Sequence, residues 1–220
     1  MKRMNVHALQ GTAKYLVSLL ILFVLTACSS FNFPFNPLEK NKSYKPSSIA
    51  VISGDEHDAS RKLAEFITQG LTERSTFRVM PQKEIEKKIP GYPPDIKFRS
   101  DLDKDDEKPI WVKSSDMDKL HAIQAKLKVD YLFIIWNREV GRSSVRNYNG
   151  GGSTTDYVYP AGNLIEYPGA KVVASTISVA GSEQSILSVF HDADYYIIDA
   201  LKEASKDIVK EFLAVTKSKK

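Results

Sequence analysis

Four histidines and one cysteine are the residues best suited to catalysis or metal binding, and their spacing offers little. His7 lies near the N-terminus. His57, His121 and His191 are far apart, and none belongs to a His-Glu-x-x-His or similar ligand spacing. His191-Asp192-Ala193-Asp194 has residue types that could act as a base or hold a metal, but it reads better as a strand-to-helix cap with surface carboxylates. Asp101-Leu-Asp103-Lys-Asp105-Asp106 resembles the start of a calcium loop. Position 6 of that loop is Asp106 where a glycine turns the chain, and position 12 is Val112 where a glutamate should close the cage. A solvated acidic loop suits these residues better. Gly150-Gly151-Gly152-Ser153 has no lysine behind it, so it suits a hairpin tip and not a phosphate cradle. No Gly-x-Ser-x-Gly elbow occurs. These residues predict no catalytic centre, no metal and no cofactor. Cys28 remains. It follows Leu25-Thr26-Ala27 at the end of an apolar run, and it is the only thiol in the chain.

That run extends from Tyr15 to Ala27 behind Lys2, Arg3 and Lys14. At about 1.5 Å per residue it spans roughly 20 Å as a helix, short of the roughly 20 residues that a hydrocarbon core requires. A positive start, a short apolar middle and small residues at the end describe an export signal. Leu25-Thr26-Ala27-Cys28 closely resembles the lipobox of bacterial lipoproteins. The resemblance implies cleavage before Cys28, a diacylglycerol on its sulfur and an acyl chain on its new amino group. Two or more chains hold a protein firmly to a bilayer, at about 0.8 kcal/mol per buried CH₂. Ser29 and Ser30 follow the cysteine, where an aspartate would imply inner-membrane retention. The expected location is therefore the periplasmic face of the outer membrane.

Removing residues 1–27 takes away three bases (Lys2, Arg3, Lys14) and no acid. The 193 residues left carry 28 bases against 27 acids. A near-neutral chain gives no support to a nucleic-acid partner. Its length suits one domain with a real core. With Cys28 lipidated no thiol is left for a disulfide or for catalysis, and no later apolar run would span a bilayer as a helix.

Residues 28–47 read as a lipidated tether of Pro, Asn, Ser and Lys. Phe31, Phe33 and Phe35 within it suit either the lipid interface or the domain surface. The domain, 48–216, opens with a buried strand at 48–53 (SIAVIS). A helix over 59–74 follows, with Leu63, Phe66, Ile67 and Leu71 on one face and Asp58 as its cap. Then come a short strand at 77–81, a brief helix at 82–89 broken by PGYPP, and a charged, solvated loop over 91–113. A third helix spans 114–128, with Leu120, Ile123 and Leu127 inward and Ser114 or Ser115 as cap. The most hydrophobic strand, 129–137, suits the sheet centre. Residues 138–171 are strand-like. Residues 172–180 and 185–190 read as a strand pair joined by GSEQ. A final helix, capped by Asp192 or Asp194, presents Tyr196, Ile197, Ala200, Leu201, Ala204, Ile208, Phe212 and Leu213 on one face, and 217–220 is a basic tail. The sum is one α/β sandwich of two or three layers, with a mixed β-sheet and amphipathic helices.

SIAVI, a helix ending GLTER, FRVMPQKEIEKKI and KLKVDYLFII together resemble the TolB N-terminal-like domain of LpoB-type penicillin-binding-protein activators and of the CsgG lipoprotein family. Phe77-Arg78-Val79 matches the second strand and Val129-Asp130-Tyr131-Leu132 the central one, over roughly residues 48–137. Two departures stand out. Ser53-Gly54 replaces the Pro-Phe that follows the first strand, and Trp136-Asn137 replaces a glycine after the central one. The resemblance implies fold more than activity. The expected function is a non-enzymatic adaptor or activator that binds a cell-envelope protein. An oligomeric secretion or channel component of the CsgG type is the alternative, and an envelope hydrolase a third. Homo-oligomers stay open. Tyr148, Tyr157, Tyr159 and Tyr167 suit either partly buried strand positions or an aromatic partner surface.

Overall fold

The computed structural model describes residues 33–38, 44, 47–99, 110–146, 152–185 and 193–216. Its core is a seven-stranded mixed sheet in the order β1-β6-β5-β4-β2-β3. The strands are β1 (Phe33–Pro37), β2 (Ser48–Ser53), β3 (Arg78–Val79), β4 (Tyr131–Arg146), β5 (Gly152–Glu166), β6 (Lys171–Ile177) and β7 (Ala180–Ser185). β2 runs parallel to β3 and β4. The other pairings are antiparallel, and β7 pairs with β5.

Strand alternation divides the core into two clusters. Ile49 and Val51 with Tyr131, Phe133 and Ile135 face helices α1 (Asp58–Arg74) and α4 (Ala193–Thr216). Ala50 and Ile52 with Leu132, Ile134 and Trp136 face α2 (Gln82–Lys88) and α3 (Met117–Leu127). Helices on both faces make three layers. This explains why β2 and the start of β4 read as unbroken apolar runs: each face is buried, at about 1.5–3 kcal/mol for each large aliphatic side chain.

Six local readings change. Within the stretch read as a tether, Phe33–Pro37 is an edge strand on β6, and Tyr44 is buried with its hydroxyl donating to the Val173 carbonyl at 3.1 Å. Of the two positions left open for that stretch, the backbone from Phe33 takes the domain surface. The 91–113 loop is not solvated over its described ends: Ile96, Trp111 and Val112 are buried under the sheet, and Phe98 bridges to Val112. Charge concentrated between those ends masked four apolar anchors. Asp58 is the first residue of α1 and not its cap. The preceding turn is instead braced by the Asp55 carboxylate, which accepts from the His57 amide at 3.1 Å. Ser114 and Ser115 form a 3₁₀ turn ahead of α3 and make no cap hydrogen bond. Asp194 lies inside α4, and Asp192 lies outside the described residues.

The sixth correction bears on function. GSEQ is not a turn. It is part of β7, which continues from β6 along the same edge of β5. Between the two, the Ser178 amide donates to the Pro160 carbonyl at 2.9 Å. Pro160 has no N–H to return on that edge, so the ladder breaks there and resumes at Ala180. β4 slips register between Asn137 and Val140, opposite Pro160 and Val158. Irregularities in three neighbouring strands thus align across the sheet. Beyond them β4, β5 and β7 form a three-stranded arm.

Among the described residues Tyr92 is one of two tyrosines, with Tyr131, that burial holds protonated to high pH. Its hydroxyl accepts from the Ser53 amide at 3.0 Å and donates to Gln82 Oε1 at 3.1 Å, and burial pushes its pKa up to about 12. The folded value lies above the unfolded one of about 10. Its contribution is therefore intact below pH ~10 and is lost as pH rises through ~12. Tyr92→Phe is expected to flatten the alkaline limb of stability in that window, read as denaturation midpoint against pH. An unchanged limb would show that Tyr92 does not set it.

Candidate functional site

The line of irregularity lies just past the C-terminal end of β2, where its parallel pairing with β4 stops at Ile135, the kind of position where open α/β sheets place their ligands. A cleft of about 310 Å³ opens there, bounded by Asp55 and His57 from the β2–α1 loop and by Trp136, Asn137, Arg138 and Glu139 from β4. Phe98 and Tyr159 complete it.

Each wall has a local cause. Trp136 ends the apolar run of β4, is buried, and donates its Nε1 hydrogen to the Ile96 carbonyl at 3.0 Å. Gly54 makes room for it: a Cβ at residue 54 would lie 2.0 Å from Trp136 Nε1. Ser53-Gly54 and Trp136-Asn137 therefore meet in space, and the missing Cβ of Gly54 makes the volume that the indole fills. Gly54→Ala is expected to push the indole aside, break its bond to Ile96 and cost about 2 kcal/mol, as overpacked cores do. At about 2–4 °C per kcal/mol that lowers Tm by roughly 4–8 °C in calorimetry. An unchanged Tm would contradict this packing.

Asn137 holds the bulge. Its backbone N–H donates to Ser60 Oγ at 2.9 Å, its Oδ1 accepts from the Tyr159 amide at 3.0 Å, and its Nδ2 donates to the Glu139 carbonyl at 3.2 Å. The bulge turns Arg138 out over an aromatic shelf. The guanidinium carbon lies 4.9 Å from the Phe98 ring centre and 5.8 Å from that of Trp111. Phe98 and Trp111 stack at 5.3 Å, and Asn163 Oδ1 pins the shelf by accepting from the Trp111 and Val112 amides at 2.8 and 3.1 Å. Among the described residues Arg138 makes no ion pair. Asp55 and Glu139 share the cleft without engaging it. A guanidinium bedded on π faces and free of a carboxylate is set to receive one.

The sequence-selected tyrosines do not converge. Tyr159 lines the cleft. Tyr157, two residues back on the same face, lies across Gly181 of β7, its register partner, with ring carbons 3.0 Å from where a Cβ would stand. Gly141 of β4 opposes Tyr157 and leaves room for the Tyr159 ring. Both tyrosines are half-buried, and their face continues the cleft onto the arm. Tyr167 is 41 % exposed and stacks on His121 at 5.7 Å. It lies eight residues along β5 from Tyr159, about 27 Å away. Tyr148 and the lipobox residues Leu25, Thr26, Ala27 and Cys28 lie outside the described residues, as do Asp101–Asp106 and His191.

Among the described residues the His57 ring forms no hydrogen bond with Asp55 or Glu139, and no serine, threonine or cysteine lines the cleft. Among the described residues no three His, Cys, Asp or Glu side chains converge on a possible metal position, and no helix is long and apolar enough to cross a membrane. A second groove of about 280 Å³, between α1 and α4, is rimmed by charges partly paired within their own helix, such as Lys202 with Asp199. Arg138, Phe98, Trp111 and Asn163 escaped sequence reasoning. The one available signal was the Trp-Asn-Arg run that replaces the expected glycine.

No family model matches the sequence, and no curated protein does. Solved structures are similar. A minor lipoprotein from Acinetobacter baumannii aligns over 80% of this chain and 98% of its own, at 8% identity and a TM-score of 0.44. Lipoprotein GNA1162 from Neisseria meningitidis aligns over 77% and 99%, at 15% identity and 0.42. The PelC dodecamer from Paraburkholderia phytofirmans aligns over 82% and 96%, at 10% identity and 0.35. The likeness is one of chain trace, and no residue role is carried over from it.

Proposed function

We propose that the chain is a lipoprotein anchored at Cys28 to the periplasmic face of the outer membrane, and that its α/β domain is a non-enzymatic adaptor for a cell-envelope protein. The observation that carries the adaptor reading is the unpaired Arg138 guanidinium on its Phe98–Trp111 shelf, in a cleft that opens onto the half-buried Tyr157 and Tyr159. Arginine and tyrosine are the residue types that interfaces favour. Leu25-Thr26-Ala27-Cys28 supports the anchor. With Phe33 already on the sheet, five residue steps separate it from Cys28. At about 3.3–3.6 Å each they reach roughly 16–18 Å. A tether this short keeps the partner close to the membrane.

The channel alternative finds little in the arm. Membrane strands need about 9–11 residues of apolar-out alternation. Val140, Arg142 and Ser144 on one face of β4, with Gly141 and Ser143 on the other, do not provide it.

The test combines intact mass, membrane fractionation and a photo-crosslinking residue at position 159, with a control at exposed Gln69 on α1. The expected result is acyl mass and outer-membrane location that Cys28→Ala abolishes, and one envelope protein captured from 159 and not from 69. Absence of acyl mass overturns the anchor. Absence of a specific adduct overturns the adaptor.

A further inference from the structure

We propose that the partner binds as an added β-strand: an extended segment pairs with the free edge of β4 from Val140 to Ser144 and places a carboxylate on the Arg138 guanidinium. This rests on the adaptor reading and specifies its chemistry.

The edge follows from the ladder. β2 covers β4 only as far as Ile135, its partner at Ser53. Ser60 Oγ then takes the outward amide of Asn137. Past the bulge, no described strand lies on that side of β4. The Tyr159 amide points toward β4 and the Pro160 carbonyl toward β6, so alternation turns residue 158 toward β7 and its register partner Val140 outward. The outward backbone groups are those of Val140, Arg142 and Ser144.

Proteins blunt such edges with charge, because a bare row of N–H and C=O groups recruits other chains. The charge here is turned away. Arg142 reaches across to the buried Asp156 on β5 through two bonds, Nε to Oδ1 at 2.6 Å and Nη2 to Oδ2 at 3.0 Å. Gly141, Ser143 and Ser144 are small, and Val140 is 45 % exposed. Backbone pairing supplies affinity without reading sequence, so specificity must come from side-chain pockets beside the edge. Arg138, at the start of the edge, offers a planar donor fork matched to one carboxylate.

The full chain, purified in detergent, is panned against a random heptapeptide phage library, and the most enriched peptide is synthesised. The expected peptide alternates β-branched residues and carries one acidic side chain. Its affinity falls roughly tenfold or more with Arg138→Gln, as expected when a hydrogen bond to a charged group is lost, and less with Arg138→Lys. Ser144→Pro, which removes an outward N–H and leaves the β5 ladder whole, abolishes binding, whereas Ser144→Ala keeps it. The Arg138 variants remain decisive if the proline variant does not fold. No enrichment, enrichment without an acid, or equal affinity with Arg138→Gln overturns strand addition. If these variants still capture the envelope partner from position 159, the adaptor reading stands without it. If the wild type captures none, the adaptor reading itself is lost.

Discussion

Phe212→Ala is expected to cost about 3–5 kcal/mol, the range for emptying a large aromatic from a core. Phe212 is fully buried at the centre of an aromatic chain. Its ring meets Phe77 edge-on at 5.4 Å and lies 6.4 Å from Phe133, while Phe77 in turn meets Tyr131 at 5.8 Å and Tyr131 lies 6.1 Å from Tyr44. That chain ties α4 to the central strand, to the residue before β3 and to the segment that leads into β2. Truncation leaves a void that rigid strands on one side and α1 on the other cannot fill by collapse. At about 2–4 °C per kcal/mol for a domain of this size, Tm should fall by roughly 6–20 °C. Calorimetry decides it: a loss under about 1 kcal/mol would mean that α4 is not seated on the sheet as described.

Asn163→Ala is expected to destabilise by about 2–6 kcal/mol, because two buried amides lose their acceptor at about 1–3 kcal/mol each. Asn163 is fully buried on β5, and its single oxygen holds both Trp111 and Val112. The change also releases the shelf beneath Arg138. The chain has two tryptophans: Trp136 lines the cleft, and Trp111 stacks on Phe98, which lines it too. Intrinsic fluorescence therefore reports the site directly: emission should shift to the red in Asn163→Ala before the global transition. Unfolding in urea with unchanged fluorescence and midpoint would show that the amides find another acceptor.

Much of the architecture is legible in residue patterns. The runs SIAVIS and YLFIIW are apolar on both faces, and only strands inside a helix-covered sheet are buried that way. The helical period of Leu63, Ile67 and Leu71, and that of Ala200, Leu201, Ala204, Ile208 and Phe212, fixes which stripe each helix buries. The irregular elements were misread where polar composition hides a structural role. GSEQ has the residues of a turn, yet it pairs as a strand because β5 is long enough to hold both β6 and β7 and because Gly181 admits the Tyr157 ring. The 91–113 segment has the charge of a solvated loop, yet Ile96, Trp111 and Val112 outweigh it through burial.

The candidate site divides along the same line. The proposed address rests on sequence alone, because the stretch that resembles an export signal with a lipobox is contiguous and its reading does not depend on folding. Sequence also determined which stripe each amphipathic helix buries, because period is a local property. It marked Tyr157 and Tyr159, but grouped them with Tyr167, since chemical kinship says nothing of distance along a strand. Only the tertiary structure put Gly54 beneath Trp136, Asn163 beneath the 110–112 backbone and Arg138 over Phe98 and Trp111. Those contacts join residues 27 to 82 positions apart. They exist because a parallel crossover returns the chain to the same sheet end, and no local period encodes that return.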